Sequence, residues 1–172
     1  MHTQHVNQHK RQFENFVWID FCQPAKASLD LIAKEYQLDL FQIKDSLEHG
    51  HLPKFEKQPN YNFLILRAFT STIKEGATTV SELSNKIAFF YNDSKIITIH
   101  RSPFDFLENV NKDFQTTEEI LIYLIYKMVE TYRNPLNELD EKIMQIEKTI
   151  FLQDYLKVSL EELYFLKAQA RI

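Results

Sequence analysis

With 172 residues and 44% apolar side chains, the chain is long enough for one domain with a sizeable core, plus an appendage. Two glycines leave no Gly-x-Gly-x-x-Gly or Walker-type loop to cradle phosphates, and a net charge of −4 gives no broad footprint for nucleic acid. A single cysteine, Cys22, excludes an internal disulfide and any multi-cysteine zinc site, and fits a reducing compartment.

Residues 1–15 read as a polar tail. MHTQHVNQHKRQ lacks the apolar centre of a signal peptide. His2, His5 and His9 share helix-like spacing, with adventitious metal binding as the alternative to a plain tail. FVWIDF, residues 16–21, is aromatic and β-branched and is closed by Pro24, which predicts a short buried strand. Cys22 at its end reads as a small core or edge residue rather than a nucleophile. Leu29, Ile32, Ala33 and Tyr36 recur at helical spacing. A second helix follows, with Asp39 as its N-cap, Leu40, Ile43 and Leu47 as its apolar stripe and Gly50 as its stop.

Residues 60–72 form a strand candidate with an almost continuous apolar centre, as in strands covered on both faces. NKIAFFY and KIITIHR are joined by Asn92-Asp93-Ser94 as a hairpin turn. FDFLENVNKDF reads as a short amphipathic helix, and TTEEILIYLIYKMVETY as a longer one that Thr116 or Thr117 caps. Beyond Asn134-Pro135, Leu136, Leu139, Ile143, Ile146 and Ile150 alternate gaps of three and four, the seam of a coiled coil. Ser159 and Glu162 make a capping box for a last helix. That helix reaches Ile172 with no Gly, Asn or Pro to end it, so the expectation is a chain cut inside a longer helical region. No apolar run approaches the roughly 20 residues that cross a bilayer. The expected organisation is a tail (1–15), an α/β domain (16–134) and the start of a helical stalk (135–172). Its fold class is α/β: a layered α/β/α domain with a mixed central sheet.

Three groups of residues are candidates for chemistry. His49-Gly50-His51 has the residue types of a transition-metal site, with Asp45 or Glu56 as further ligands. Imidazoles two apart share a face only in an extended segment, so a helix end and loop is the default. His100 closes a strand with no Ser, Cys or Asp placed beside it by any motif, which favours a structural role. Asp20 has no acidic twin, so paired-carboxylate catalysis lacks support, and the chain reads as a non-enzyme.

Several segments resemble the CorA-type magnesium transporter family. Trp18-Ile19-Asp20-Phe21 and Pro24 resemble its W-I-D-L-x-x-P opening. Lys44-Asp45-Ser46-Leu47 and Pro53-Lys54-Phe55-Glu56 resemble its E-D-x-L and R-P-K-x-E. Tyr61-x-Phe63-Leu64-Ile65-Leu66 matches the strand that follows, and Ile97-Thr98-Ile99-His100 resembles V-T-V-H. LIYLIYKMVETYRNPLNELDEKIMQIEKTIF resembles the helix leading into the stalk, and LYFLKAQAR the L-K-R-x-L-x-x-L-R segment.

The resemblance implies homopentameric channels for Mg²⁺ and related divalent cations. Each subunit has a cytosolic α/β/α domain, a stalk helix, two membrane helices and a Gly-Met-Asn pore motif. This sequence holds neither the membrane helices nor Gly-Met-Asn. The implied role is the regulatory and assembly domain on the cytoplasmic face of the membrane, sensing ions between subunits. The alternative is a stand-alone soluble interaction protein of the same fold. Asp45 matches the aspartate that helps to bind the regulatory cation, and Mg²⁺ needs only one or two carboxylates because it keeps several waters. Lys44 replaces the preceding acid, and Tyr126 stands where some members carry an aspartate, which puts a second interface site in doubt. Leu52 replaces the Arg of R-P-K, and the Pro-Lys form leans toward the magnesium branch.

Overall fold

The computed structural model describes residues 8–48, 52–70, 77, 79–152 and 159–170. The aromatic run after Asn15 becomes β2 (Val17–Cys22), which lies parallel to β6 (Lys95–His100) with Asp20 opposite Thr98. β6 turns back through Asp93-Ser94 to β5 (Ser84–Asn92). Asn92 fixes that turn, its side-chain oxygen accepting from the backbone N–H groups of Ser94 and Lys95 at 3.1 Å each. β4 (Asn62–Phe69) continues the sheet.

Two further strands cover the edges, β1 (Gln8–Gln12) on β2 and β3 (Lys54–Lys57) on β4. The sheet order is β1-β2-β6-β5-β4-β3, and β2–β6 is its parallel contact. Residues 8–12 read as tail in the sequence, and 54–57 carry no predicted element there. Edge strands bury little, so neither QHKRQ nor KFEK carries an apolar signal.

The central strands are buried on both faces, as their continuous apolar runs require. On one face Trp18, Ile87, Phe89 and Ile96 meet Ile120, Leu124 and Met128 of α5 (Thr117–Glu130). Phe104, Leu107, Val110 and Phe114 fill the same layer around the single turn of α4 (Asp105–Glu108), a shorter helix than the sequence suggests. On the other face Ile19, Phe63, Ile65, Phe90 and Ile97 meet Leu29 and Ile32 of α1 (Leu29–Tyr36) and Ile43 of α2 (Leu40–Leu47). Each fully buried Phe or Ile contributes about 1.5–3 kcal/mol. The layers are therefore α/β/α around a mixed sheet, the expected class.

Capping residues act where the sequence places them. Asp39 accepts from Phe41 and Gln42 N–H groups at 2.7 and 3.2 Å, Thr116 from Glu119, and Ser159 from Glu162, the last two at 3.2 Å. After α3 (Val80–Leu83) and α5, the chain breaks at Thr131-Tyr132 and resumes as α6 (Arg133–Phe151). Pro135 sits in the first turn of α6, where its missing N–H costs nothing. α6 has no buried residue. α7 (Leu160–Gln169) buries Leu166 and returns to the domain, Gln169 Nε2 donating to the Ala77 carbonyl at 3.3 Å.

Candidate metal site

Asp45 lies in the last turn of α2, on the flank that faces the β3 edge. Helical spacing sets Gln42 one turn before it, and β3 presents Lys54 and Glu56 on one side because they are two residues apart. Lys54 Nζ bridges the two acids, 3.0 Å from Asp45 Oδ2 and 3.1 Å from Glu56 Oε1. The ammonium also stands 5.2 Å from the centre of the Phe63 ring. Glu56 Oε2 accepts from Gln42 Nε2 at 2.6 Å, and Gln42 Oε1 accepts from the Tyr61 hydroxyl at 2.7 Å. Tyr61 in turn accepts from the Asp39 N–H at 3.0 Å. One chain of polar contacts thus runs from the cap of α2 to its last turn.

The electrostatics follow from these contacts. Burial pulls the Lys54 ammonium down, but its hydrogen bonds to Asp45 and Glu56 outweigh that and raise its pKa. The Lys54 bond, then the Gln42 bond, hold Glu56 below the usual carboxylate range. Behind Asp45, buried Lys86 donates to the Asp45 backbone carbonyl near the negative end of the α2 dipole. Burial, then the neighbouring Arg67 charge, pull Lys86 down to about 8.

Asp45 therefore brings one carboxylate, with an ammonium on one of its oxygens. Among the described residues no three His, Cys, Asp or Glu converge as a metal site. The described residues of a single chain do not fit a chelated ion. Lys44 is exposed next to Asp45, and Tyr126 is exposed on α5, its hydroxyl donating to Glu130 Oε1 at 2.8 Å. His49, Gly50 and His51 lie outside the described residues.

The structure supplies the partners that sequence reasoning did not find for His100 and Asp20. His100 Nε2 is 3.0 Å from Asp20 Oδ1, and His100 Nδ1 is 2.6 Å from the Ser102 carbonyl. That carbonyl only accepts, so Nδ1–H donates to it, and Nε2 faces the Asp20 carboxylate. Thr98 donates to Asp20, and Trp18 Nε1 donates to Thr98 Oγ1 at 3.0 Å. The network is buried and satisfied, which pins β2 to β6. A strand-end His and a mid-strand Asp become legible as a pair only once parallel pairing is known. Cys22 is half-buried at the end of β2, and burial, then Asp20 and Glu108, raise its thiol pKa.

The fold and the matching residues meet in a family comparison: the model of the CorA-like Mg²⁺ transporter protein matches residues 13–171. The chain belongs to the CorA-like family. No curated protein sequence matches it. Among solved structures it is similar to the full-length CmaX protein, with a TM-score of 0.73 and 15% identity over 91% of this chain and 49% of that one. The soluble domain of CorA from Methanocaldococcus jannaschii gives a TM-score of 0.62 and 16% identity over 80% of this chain and 56% of that one. The ZntB cytoplasmic domain from Vibrio parahaemolyticus gives a TM-score of 0.62 and 13% identity over 77% and 55%. These likenesses show the CorA soluble-domain fold, and the chain spans about half the length of the structures it matches. Among the described residues no helix is long and apolar enough to cross a membrane.

Proposed function

We propose that this chain is the cytosolic regulatory and assembly domain of a membrane transporter for divalent cations, Mg²⁺ first among them. The family match across residues 13–171 carries the reading. The unburied seam of α6 supports it, because Leu136, Ile143 and Ile150 need a partner that the described residues of one chain do not supply.

In this reading Asp45 meets a hydrated cation at the boundary with a second subunit, the assembly being a homopentamer in the full-length protein. Mg²⁺ keeps several waters, so one carboxylate per chain suffices, and the ion competes with Lys54 for Asp45. The test is thermal unfolding and sedimentation of the chain across millimolar Mg²⁺. Both the transition temperature and the associated fraction are expected to rise, and Asp45→Ala is expected to abolish the rise. Mg²⁺-independent stability and assembly would remove the sensing role and favour the stand-alone interaction protein.

A further inference from the structure

β2 and β6 run parallel, so their carboxyl ends lie side by side, with Cys22 opposite His100. In open α/β sheets the crevice beyond such ends is where ligands bind, because the segments leaving the strands diverge there. A groove of about 720 Å³ opens at this place. That is within the range of about 300–1,000 Å³ common for small-molecule sites. Gln23 and Pro24 enter it from β2, Arg101 from β6, Lys26 and Leu29 from the start of α1, and Lys44, Leu47 and Glu48 from the end of α2. Gln23 has φ 52, a left-handed conformation held by its N–H donating to the His100 carbonyl at 2.8 Å. That bend turns the chain off β2 and carries Pro24 and Lys26 to the rim.

The lining has two chemistries. Buried Leu29 with half-buried Pro24 and Leu47 forms an apolar wall. Exposed Lys26, Lys44 and Arg101 stand against one carboxylate, Glu48. Glu48 and Arg101 also line a small adjoining cleft with Arg67 and Lys86, so two more cations lie behind the groove. The whole chain carries a net charge of −4, so the concentration of cations is local. Lys44 is the residue that departs from the acidic family pattern, and its charge adds to the groove.

We propose that this groove binds a small organic phosphate, with an apolar body against Pro24, Leu29 and Leu47 and the phosphoryl group held by Lys26, Lys44 and Arg101. A doubly charged group matches three cations around one groove better than a carboxylate, and charge-assisted hydrogen bonds are the strong ones. Asp45, Lys54 and Glu56 do not line this groove, and the proposal does not depend on the transport reading.

Isothermal titration of the 172-residue chain with adenosine monophosphate, adenosine and inorganic phosphate tests it. The nucleotide is expected to bind at least about tenfold more tightly than either half alone. Lys26→Glu and Lys44→Glu are each expected to weaken it about tenfold or more, whereas Lys148→Glu on α6 leaves it unchanged. Both groove lysines are exposed, so the charge reversals keep the fold, which circular dichroism verifies. Absence of nucleotide binding, equal affinity for inorganic phosphate and nucleotide, or affinity unaltered by both reversals would each overturn the proposal.

Discussion

α5 and α6 are consecutive helices that differ in one respect. The 14 residues of α5 bury five side chains against the sheet, and the 19 residues of α6 bury none. Both sequences are rich in apolar residues at helical spacing. The stripe of α5 is wide and meets β4, β5 and β6 within the same chain. That of α6 is narrow, and Leu136 and Met144 remain 59% and 60% exposed. An amphipathic pattern states that a face needs a partner, without stating which molecule supplies it.

Core truncation gives the largest expected contrast. Phe90→Ala, at a position 1% exposed, is expected to cost about 3–5 kcal/mol in urea unfolding of the chain. Ile143→Ala on α6 is expected to stay within about 0.5 kcal/mol while the chain is monomeric. A large effect of Ile143→Ala under those conditions would place its partner within the chain and break the contrast.

Buried and exposed charge give the next one. The folded pKa of Lys86, about 8, lies below its ordinary 10.5, so the unfolded chain binds more protons between those values. The Lys86 contribution to stability therefore rises with pH through that window, by roughly 1–3 kcal/mol. Lys86→Met should flatten this rise in denaturant titrations at pH values spanning the window, and Lys142→Met on α6 should leave it in place. The smallest effect concerns helix starts. Asp39→Ala is expected to cost about 1 kcal/mol because it frees two N–H groups of α2. α6 begins at Tyr132 with no side-chain cap and draws support instead from the edge-to-face packing of Tyr132 on Phe69 at 5.8 Å.

Apolar strands, helix caps and the Asn92 turn were legible in the sequence because burial and local hydrogen bonding leave a periodic or positional mark. The edge strands β1 and β3 were not, since an edge strand takes its stability from backbone pairing that any polar residue provides. Asp45 was singled out through family resemblance. Its pairing with Lys54, nine residues on, and the link through Gln42 to Tyr61 depend on how β3 docks beside α2.

By itself the sequence determined which faces of the central strands and helices must leave water, where helices start, and that the chain resembles a magnesium-transporter domain. The tertiary structure alone decided that Asp20 pairs with His100, that Lys54 bridges Asp45 and Glu56, and that three cations from separate segments line one groove beyond the parallel strands. The physical reason is range. Capping acts within a few residues, whereas the Asp20–His100 pair joins residues 80 positions apart, and the register of β2 on β6 brings those two together.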